Sequence, residues 1–290
     1  MNDRLGIALM LLAMLSFSIS DAFIKASDGY LTLGQSLFYL GVLGTLLFAA
    51  YALAIGQNPF PRSLLDTPVI LRGASEIMAT GFIFYGILYG SLTKTISIHQ
   101  VQPILVTFGA VLFYKESIGW RRWTAIILGF ASVMLIIRPG LGGWDFTAIV
   151  AFFGAIGLAA RDLLTKAVGG HVSSVQLSIV GYIALIPLGV ALLLFEGSAW
   201  WPGIENIPFI LGITIFSMIA YLAITESVRV AEFGTVMPFR FSRLFFVYAI
   251  GILYFGEGID WQTIVGAIGI LCSGLFVLIR SSSAPSSKPK

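Results

Sequence analysis

Arg240 and Arg243 stand three residues apart in Met237-Pro238-Phe239-Arg240-Phe241-Ser242-Arg243, inside a hydrophobic run from Ala231 to Phe255. On insertion scales each charge near the centre of a membrane helix costs about 2.5–3.5 kcal/mol, so two guanidiniums there require compensation from inside the protein. Few groups can supply it. In the run 96–114, His99 and Gln102 share a helical face, and Pro103 frees the His99 carbonyl, which brings an imidazole, an amide and a bare carbonyl together. In the run 67–90, Arg72, Glu76 and Thr80 follow one stripe. An Arg72–Glu76 ion pair explains them without a substrate, but Glu76 lies well below the interface. There it also reads as a counter-ion for Arg240 or Arg243, a cation-binding group or a proton carrier.

Other polar groups are spaced for local bonding. Asp21 precedes Lys25 by one turn and Asp162 precedes Lys166 by one turn, so each carboxylate can pair with its own lysine, and Asp21 also enters as a candidate for proton coupling beside Glu76 and His99. Ser217, Tyr221 and Thr225 form a polar stripe on an apolar helix, as Tyr85 and Tyr89 do on another. Aromatic faces of this kind pack, sit at the interface, or hold a cationic or planar ligand. Taken together, the expected substrate-binding set is Glu76, His99, Gln102, Arg240, Arg243 and Tyr221. Arginine and imidazole suit an anion, while the carboxylate and the rings suit a cation; a zwitterion such as an amino acid or a related nucleoside metabolite satisfies both.

The elements that must position these residues are membrane helices. The 290-residue chain is 58% hydrophobic and only 11% charged, with a mean hydropathy of +0.95, whereas a soluble domain carries about 25% charged residues. Windows of membrane-spanning length give ten segments, 5–25, 33–55, 67–90, 96–114, 121–138, 145–167, 173–195, 206–228, 232–255 and 260–280. The first lacks a small-x-small cleavage site and is read as a membrane helix, not a signal peptide. Residues 281–290, rich in Ser, Pro and Lys, read as a disordered cytoplasmic tail.

Basic residues set the orientation. Of the 17 lysines and arginines, Lys25, Lys94 and Arg138 fall on the outer side, Arg240 and Arg243 inside a span, and the rest on the inner side, so both termini are expected in the cytoplasm. Laid over itself with a shift of 141 residues, the chain places Asp21 and Lys25 on Asp162 and Lys166, and Glu116, Ile118 and Trp120 on Glu257, Ile259 and Trp261. Five spans per copy is an odd number. The second copy therefore enters the membrane upside down, an arrangement that commonly builds transporters with a substrate site between the halves. Glu116 and Glu257 stand just ahead of the next helices and are expected to organise short turns.

Gln102-Pro103-Ile104-Leu105-Val106-Thr107, Tyr114-Lys115-Glu116, Gly129 and Arg138-Pro139-Gly140 resemble the first half of EamA-type carriers of the drug/metabolite transporter superfamily. Pro238-Phe239-Arg240-Phe241-Ser242-Arg243 and Phe255-Gly256-Glu257 resemble the later copy. The resemblance implies an all-α membrane fold of ten helices in two inverted five-helix repeats, 1–141 and 142–280. It also implies a central cavity lined mainly by helices 1, 3, 4, 6, 8 and 9. Leu244 occupies the place equivalent to Pro103, so a symmetrical pair of bent helices is not expected. Related carriers move S-adenosylmethionine, riboflavin, amino acids and other small metabolites, and fold analogy does not choose among them.

The reading that follows is a secondary-active carrier of a small polar or amphipathic metabolite working by alternating access, with Gly81, Gly86, Gly109 and Gly129 permitting close helix contacts. No Gly-x-x-x-x-Gly-Lys motif is present, which leaves a gradient as the energy source. No cofactor, metal or nucleic-acid partner is expected. The expected partners are the substrate, the lipid bilayer and a coupled proton or cation, in a monomer or homodimer of a bacterial cytoplasmic (inner) membrane. An intramembrane enzyme or a channel-type pore is the alternative. His99 and His171 fall on opposite sides of the membrane and outside any His-Glu-x-x-His cluster, and no ring of charges or carbonyl filter is apparent.

Overall fold

The computed structural model describes residues 3–115, 119–137, 145–168, 172–231 and 236–282. Glu116, Arg138, His171 and residues 283–290 lie outside them. Among the described residues the regular structure is entirely helical: α1 (Asp3–Ala26), α2 (Leu33–Ala54), α3 (Thr67–Leu88), α4 (Leu92–His99), α5 (Gln102–Tyr114), α6 (Trp120–Ile137), α7 (Phe146–Val168), α8 (Ser174–Glu196), α9 (Ile207–Val230), α10 (Ser242–Leu253) and α11 (Trp261–Ser282). A 3-10 turn, Met237–Phe241, leads into α10. Six stretches are long and apolar enough to cross a membrane unaided, and α4 with α5 forms one of them. Counting α4–α5 as one span and the 3-10 turn with α10 as another gives the ten expected. The last helix continues through Ser281 and Ser282, two residues that the sequence assigns to the tail.

Local chemistry explains several boundaries, and it repeats at the 141-residue offset. Thr32 caps α2 and Ser173 caps α8, each in a capping box closed by the glutamine three residues on, Gln35 and Gln176. Lys115 ends α5 in the left-handed region at φ 54°, and Gly256 follows α10 at φ 63°. The middle position of Tyr114-Lys115-Glu116 and Phe255-Gly256-Glu257 thus carries a left-handed turn, which glycine adopts without strain and lysine does not. The two discontinuous spans also correspond. Helix winding breaks at Gln100 and Val101 in the fourth span, and at the equivalent place, Phe241 to Ser242, 3-10 winding gives way to α-helix. The expectation that the two spans do not form a symmetrical bent pair is therefore corrected, since both break at the equivalent place although Leu244 stands for Pro103. Pro238 sits at the start of the 3-10 turn, ahead of that break.

The principal helix pairs are α1 with α9, α2 with α8, α3 with α7 and α6 with α11. Exchanging every span with the one five places along exchanges the first pair with the third and returns the other two to themselves, as a two-fold inverted repeat requires. Small residues allow these approaches. A Cβ on Gly157 would stand 2.6 Å from the Ala79 amide nitrogen and 3.0 Å from its Cα, so α7 packs on the backbone of α3. Gly81, Gly86, Gly109 and Gly129 face side chains instead, namely Leu188, Thr95, Leu163 and Ile104. Gly157→Ala is expected to cost about 1–3 kcal/mol by forcing α3 from α7. Gly109→Ala, against the end of a flexible leucine, should cost less, and the two unfolding midpoints in detergent check the order.

The core seals one end of the bundle. Ile24, Leu33, Leu37, Leu88, Leu92, Ile96 and Val247 pack together at the end away from Asp3. Polar ties reinforce it. Lys25 donates to the Gly90 carbonyl at 2.8 Å and to that of Leu88 at 3.4 Å, capping the C-terminal end of α3. Glu257 accepts from the Leu92 and Thr93 amides at 2.7 and 3.0 Å and from the Ser91 and Thr93 hydroxyls at 2.9 and 2.7 Å. The turn role expected of Glu257 is thus a cap on a helix of the other repeat.

Candidate functional site

A cavity of about 320 Å³ opens between the repeats and is lined by Asp21, Glu76, His99, Gln102, Tyr221, Arg240 and Arg243. All seven residues singled out from the sequence reach this one space. Residues that the sequence reading gave structural or topological roles, Arg72, Arg161 and Asp162, line it as well, as does Tyr182. Its walls come from α1, α3, α4, α5, α7, α9 and the α10 segment; beyond the expected helices, α8 contributes Ser174, Ser178, Gly181 and Tyr182, and α2 contributes Leu40. Thr165, Ser174, Ser178 and Thr225 continue the lining toward the end of the bundle that carries Asp3. The opposite end is the sealed one.

The lining obeys the 141-residue offset. Ser20 and Arg161, Asp21 and Asp162, Glu76 and Ser217, Thr80 and Tyr221, His99 and Arg240, and Gln102 and Arg243 are equivalent positions, and all of them face the cavity. The bonds repeat too. Arg243 Nη2 donates to Asp21 Oδ2 at 2.7 Å, and the equivalent Gln102 Nε2 donates to the equivalent Asp162 Oδ2. One geometry thus appears once as an ion pair and once with a neutral amide. Asp162 takes its charge partner from its neighbour, Arg161, whose Nη2 and Nε lie 3.0 and 3.2 Å from Oδ1.

Several expected pairings are corrected. Asp21 bonds Arg243 across the repeats, while Lys25 caps α3. Asp162 accepts from Gln102 and Arg161, and the Lys166 ammonium lies 4.5 Å over the Tyr114 ring. Glu76 pairs with Arg161, whose Nη1 stands 3.5 Å from both carboxylate oxygens, and Thr80 donates to the same carboxylate at 3.1 Å. Arg72 turns away from Glu76, donating to Thr165 Oγ1 at 3.0 Å and to the Leu177 carbonyl at 2.8 Å. For Asp21, Glu76 and Arg72 a longer reach across the bundle wins over the local i,i+4 contact. A carboxylate and a cation on neighbouring turns near the membrane centre gain more from partners that also bridge helices.

The polar stripe on α9 faces the site. Ser217 shares a hydrogen with Ser20 at 2.9 Å and the Tyr221 hydroxyl accepts from Arg161 Nη1 at 3.1 Å. Tyr182, Phe48 and Phe17 surround the Tyr221 ring at 6.1, 6.2 and 5.6 Å between centroids. Tyr85 and Tyr89 instead pack on each other and stay out of the cavity lining. His99 Nδ1 lies 3.5 Å from Arg243 Nη1, and Phe17 stands 5.1 Å beneath that guanidinium. Four arginines and three carboxylates line the cavity, with aromatic faces beside them. Among the described residues no group of His, Cys, Asp and Glu has metal-binding geometry. The arrangement offers hydrogen bonds, opposed charges and π-faces to a small polar ligand, and it tethers one repeat to the other at Asp21–Arg243, Gln102–Asp162 and Glu76–Arg161.

Residues 4–138 match the model of the EamA-like transporter family. Over 99% of its length the chain is 24% identical to an S-adenosylmethionine uptake transporter of Rickettsia bellii, of which 100% is covered. The corresponding Rickettsia prowazekii transporter is 23% identical, with 99% of each chain covered. A riboflavin transporter of Rhizobium johnstonii is 27% identical over 64% of this chain and 61% of its own. A solved crystal structure superposes with a TM-score of 0.62 at 14% identity, covering 96% of this chain and 99% of the other, which establishes the fold alone.

Proposed function

We propose that the chain, whose residues 4–138 match the EamA-like transporter family, is an integral membrane carrier of small metabolites, and that its cargo passes through the cavity between the repeats by alternating access. The cargo is a small polar or amphipathic metabolite. An amino-acid-like zwitterion, an S-adenosylmethionine-like molecule and a riboflavin-like molecule are the classes to test, the last two because similar carriers are named for them. The observation that supports this most is the convergence of six pairs of repeat-equivalent positions on one charged cavity. A site built from both halves alike can be presented to either side when the halves exchange conformations.

In this reading Glu76, His99, Gln102, Arg240, Arg243 and Tyr221 contact the cargo, with Arg161 added to them. The repeats divide near residue 141, and a proton or cation gradient drives transport, with Glu76, His99 and Asp21 as the groups to examine. The termini lie in the cytoplasm of a bacterial cell, so the cavity faces inward.

Reconstitution tests the proposal. Proteoliposomes should accumulate at least one labelled metabolite among S-adenosylmethionine, riboflavin and the amino acids, saturably and under an imposed gradient. Arg161→Gln should reduce the rate by about tenfold or more, the consequence of losing one charge-assisted contact. Movement of none of the panel under any gradient would contradict the carrier mechanism.

A further inference from the structure

The cavity wall at the break between α4 and α5 contains donors with no acceptor. His99 Nδ1 pairs with Arg243 Nη1 at 3.5 Å. A guanidinium has hydrogens to give and no lone pair to offer. The ring must therefore accept at Nδ1, and a neutral imidazole that accepts at Nδ1 carries its hydrogen on Nε2. That Nε2 is buried without a partner among the described residues, in a side chain only 7% exposed. Arg243 Nε and Gln100 Nε2 are buried without partners as well. Among the cavity-lining residues described, these three nitrogens are the buried polar atoms without a partner, and none is an obligate acceptor.

Buried N–H groups are normally hydrogen-bonded, and a group of unpaired donors in a cavity wall is complementary to a ligand group that only accepts. One further feature favours an anion over a neutral carbonyl: the lining carries four arginines against three carboxylates. We propose that His99, as its Nε2–H tautomer, and Arg243 Nε form a carboxylate subsite, with the Gln100 amide alongside. Arg243 thus works on two faces, holding Asp21 through Nη2 and the cargo through Nε. Resting on the reading of the cavity as the cargo site, this assigns one end of the cargo to α4–α5, leaving Glu76 and the tyrosines for the other end.

The test uses the purified chain with ring-15N histidine. The chain has two histidines, and His171→Gln assigns the signals. Without ligand, His99 should show a protonated Nε2 and an unprotonated Nδ1. Sodium acetate should shift the Nε2 signal saturably, while sodium chloride at equal ionic strength and neutral acetamide should not. His99→Leu leaves the Asp21–Arg243 pair in place and should weaken acetate binding, followed at the 15N-labelled Arg243 Nε, by about tenfold or more. A hydrogen on Nδ1, no saturable acetate response, or an equal response to acetamide would overturn the subsite. Because acetate reports independently of the cargo, metabolite flux without an acetate response sinks the subsite alone. An acetate response in a chain that moves no metabolite sinks the carrier reading alone.

Discussion

Asp21→Leu is expected to destabilise the folded protein by about 3–5 kcal/mol, the cost of leaving a buried guanidinium without its counter-charge. The pair is well enclosed, with side-chain exposures of 11% for Arg243 and 7% for Asp21. Its loss also unsettles His99, which Arg243 touches. The double variant Asp21→Leu/Arg243→Leu removes both charges and should recover most of the stability, since well-packed apolar residues often replace a buried ion pair without loss. It should not recover transport. Denaturant unfolding in detergent separates the two cases. A single variant no less stable than a surface substitution would mean that this pair does not tie the repeats together.

Glu257→Ala is the second large effect. One half-buried carboxylate accepts from two backbone amides and two hydroxyls at the start of α4. Hydrogen bonds to a charged group contribute about 1.5–3 kcal/mol, and these four act as one unit, so the expected loss is about 2–3 kcal/mol and not their sum. Glu257→Gln keeps an acceptor and should fall between. Since α4 seals the end of the bundle opposite Asp3, the alanine variant should also quicken labelling of a cysteine placed at Thr95 from that side. Unchanged stability and unchanged labelling would show that the cap neither holds α4 nor helps to close the cavity.

Charge in an apolar context made much of the site legible. Arg240, Arg243, Glu76, Asp21 and His99 stand out because a membrane span tolerates them only with partners inside the protein. The choice of partner was not legible, because it depends on helix rotation and approach that spacing does not encode. Asp21 and Glu76 each had a plausible cation one turn away, yet Asp21 found Arg243 and Glu76 found Arg161 across the bundle. Arg161 and Asp162 were misplaced for a related reason. Close to the inner end of their span, they read as a topology signal and a local lysine pair, although the 141-residue offset had already set Asp162 on Asp21. The same offset, followed through every polar position, would have paired Gln102 with Arg243 and His99 with Arg240. It would also have exposed the two capping boxes. Glu257 was readable as a turn residue but not as the cap of a helix more than 160 residues earlier. The break at Phe241 was hidden because Leu244, not a proline, stands at the place equivalent to Pro103.

The most direct test of passage through this cavity is protection of a single thiol inside it. The one native cysteine, Cys272, is exposed and is replaced by serine; a new cysteine is placed at Ile224, on the cavity wall. A metabolite that the proteoliposomes accumulate should slow modification of this thiol by a methanethiosulfonate reagent, half-maximally at the concentration that half-saturates transport. Modification at the same rate with saturating cargo present would contradict the account, placing the route of transport outside the space that Asp21, Arg161 and Arg243 enclose.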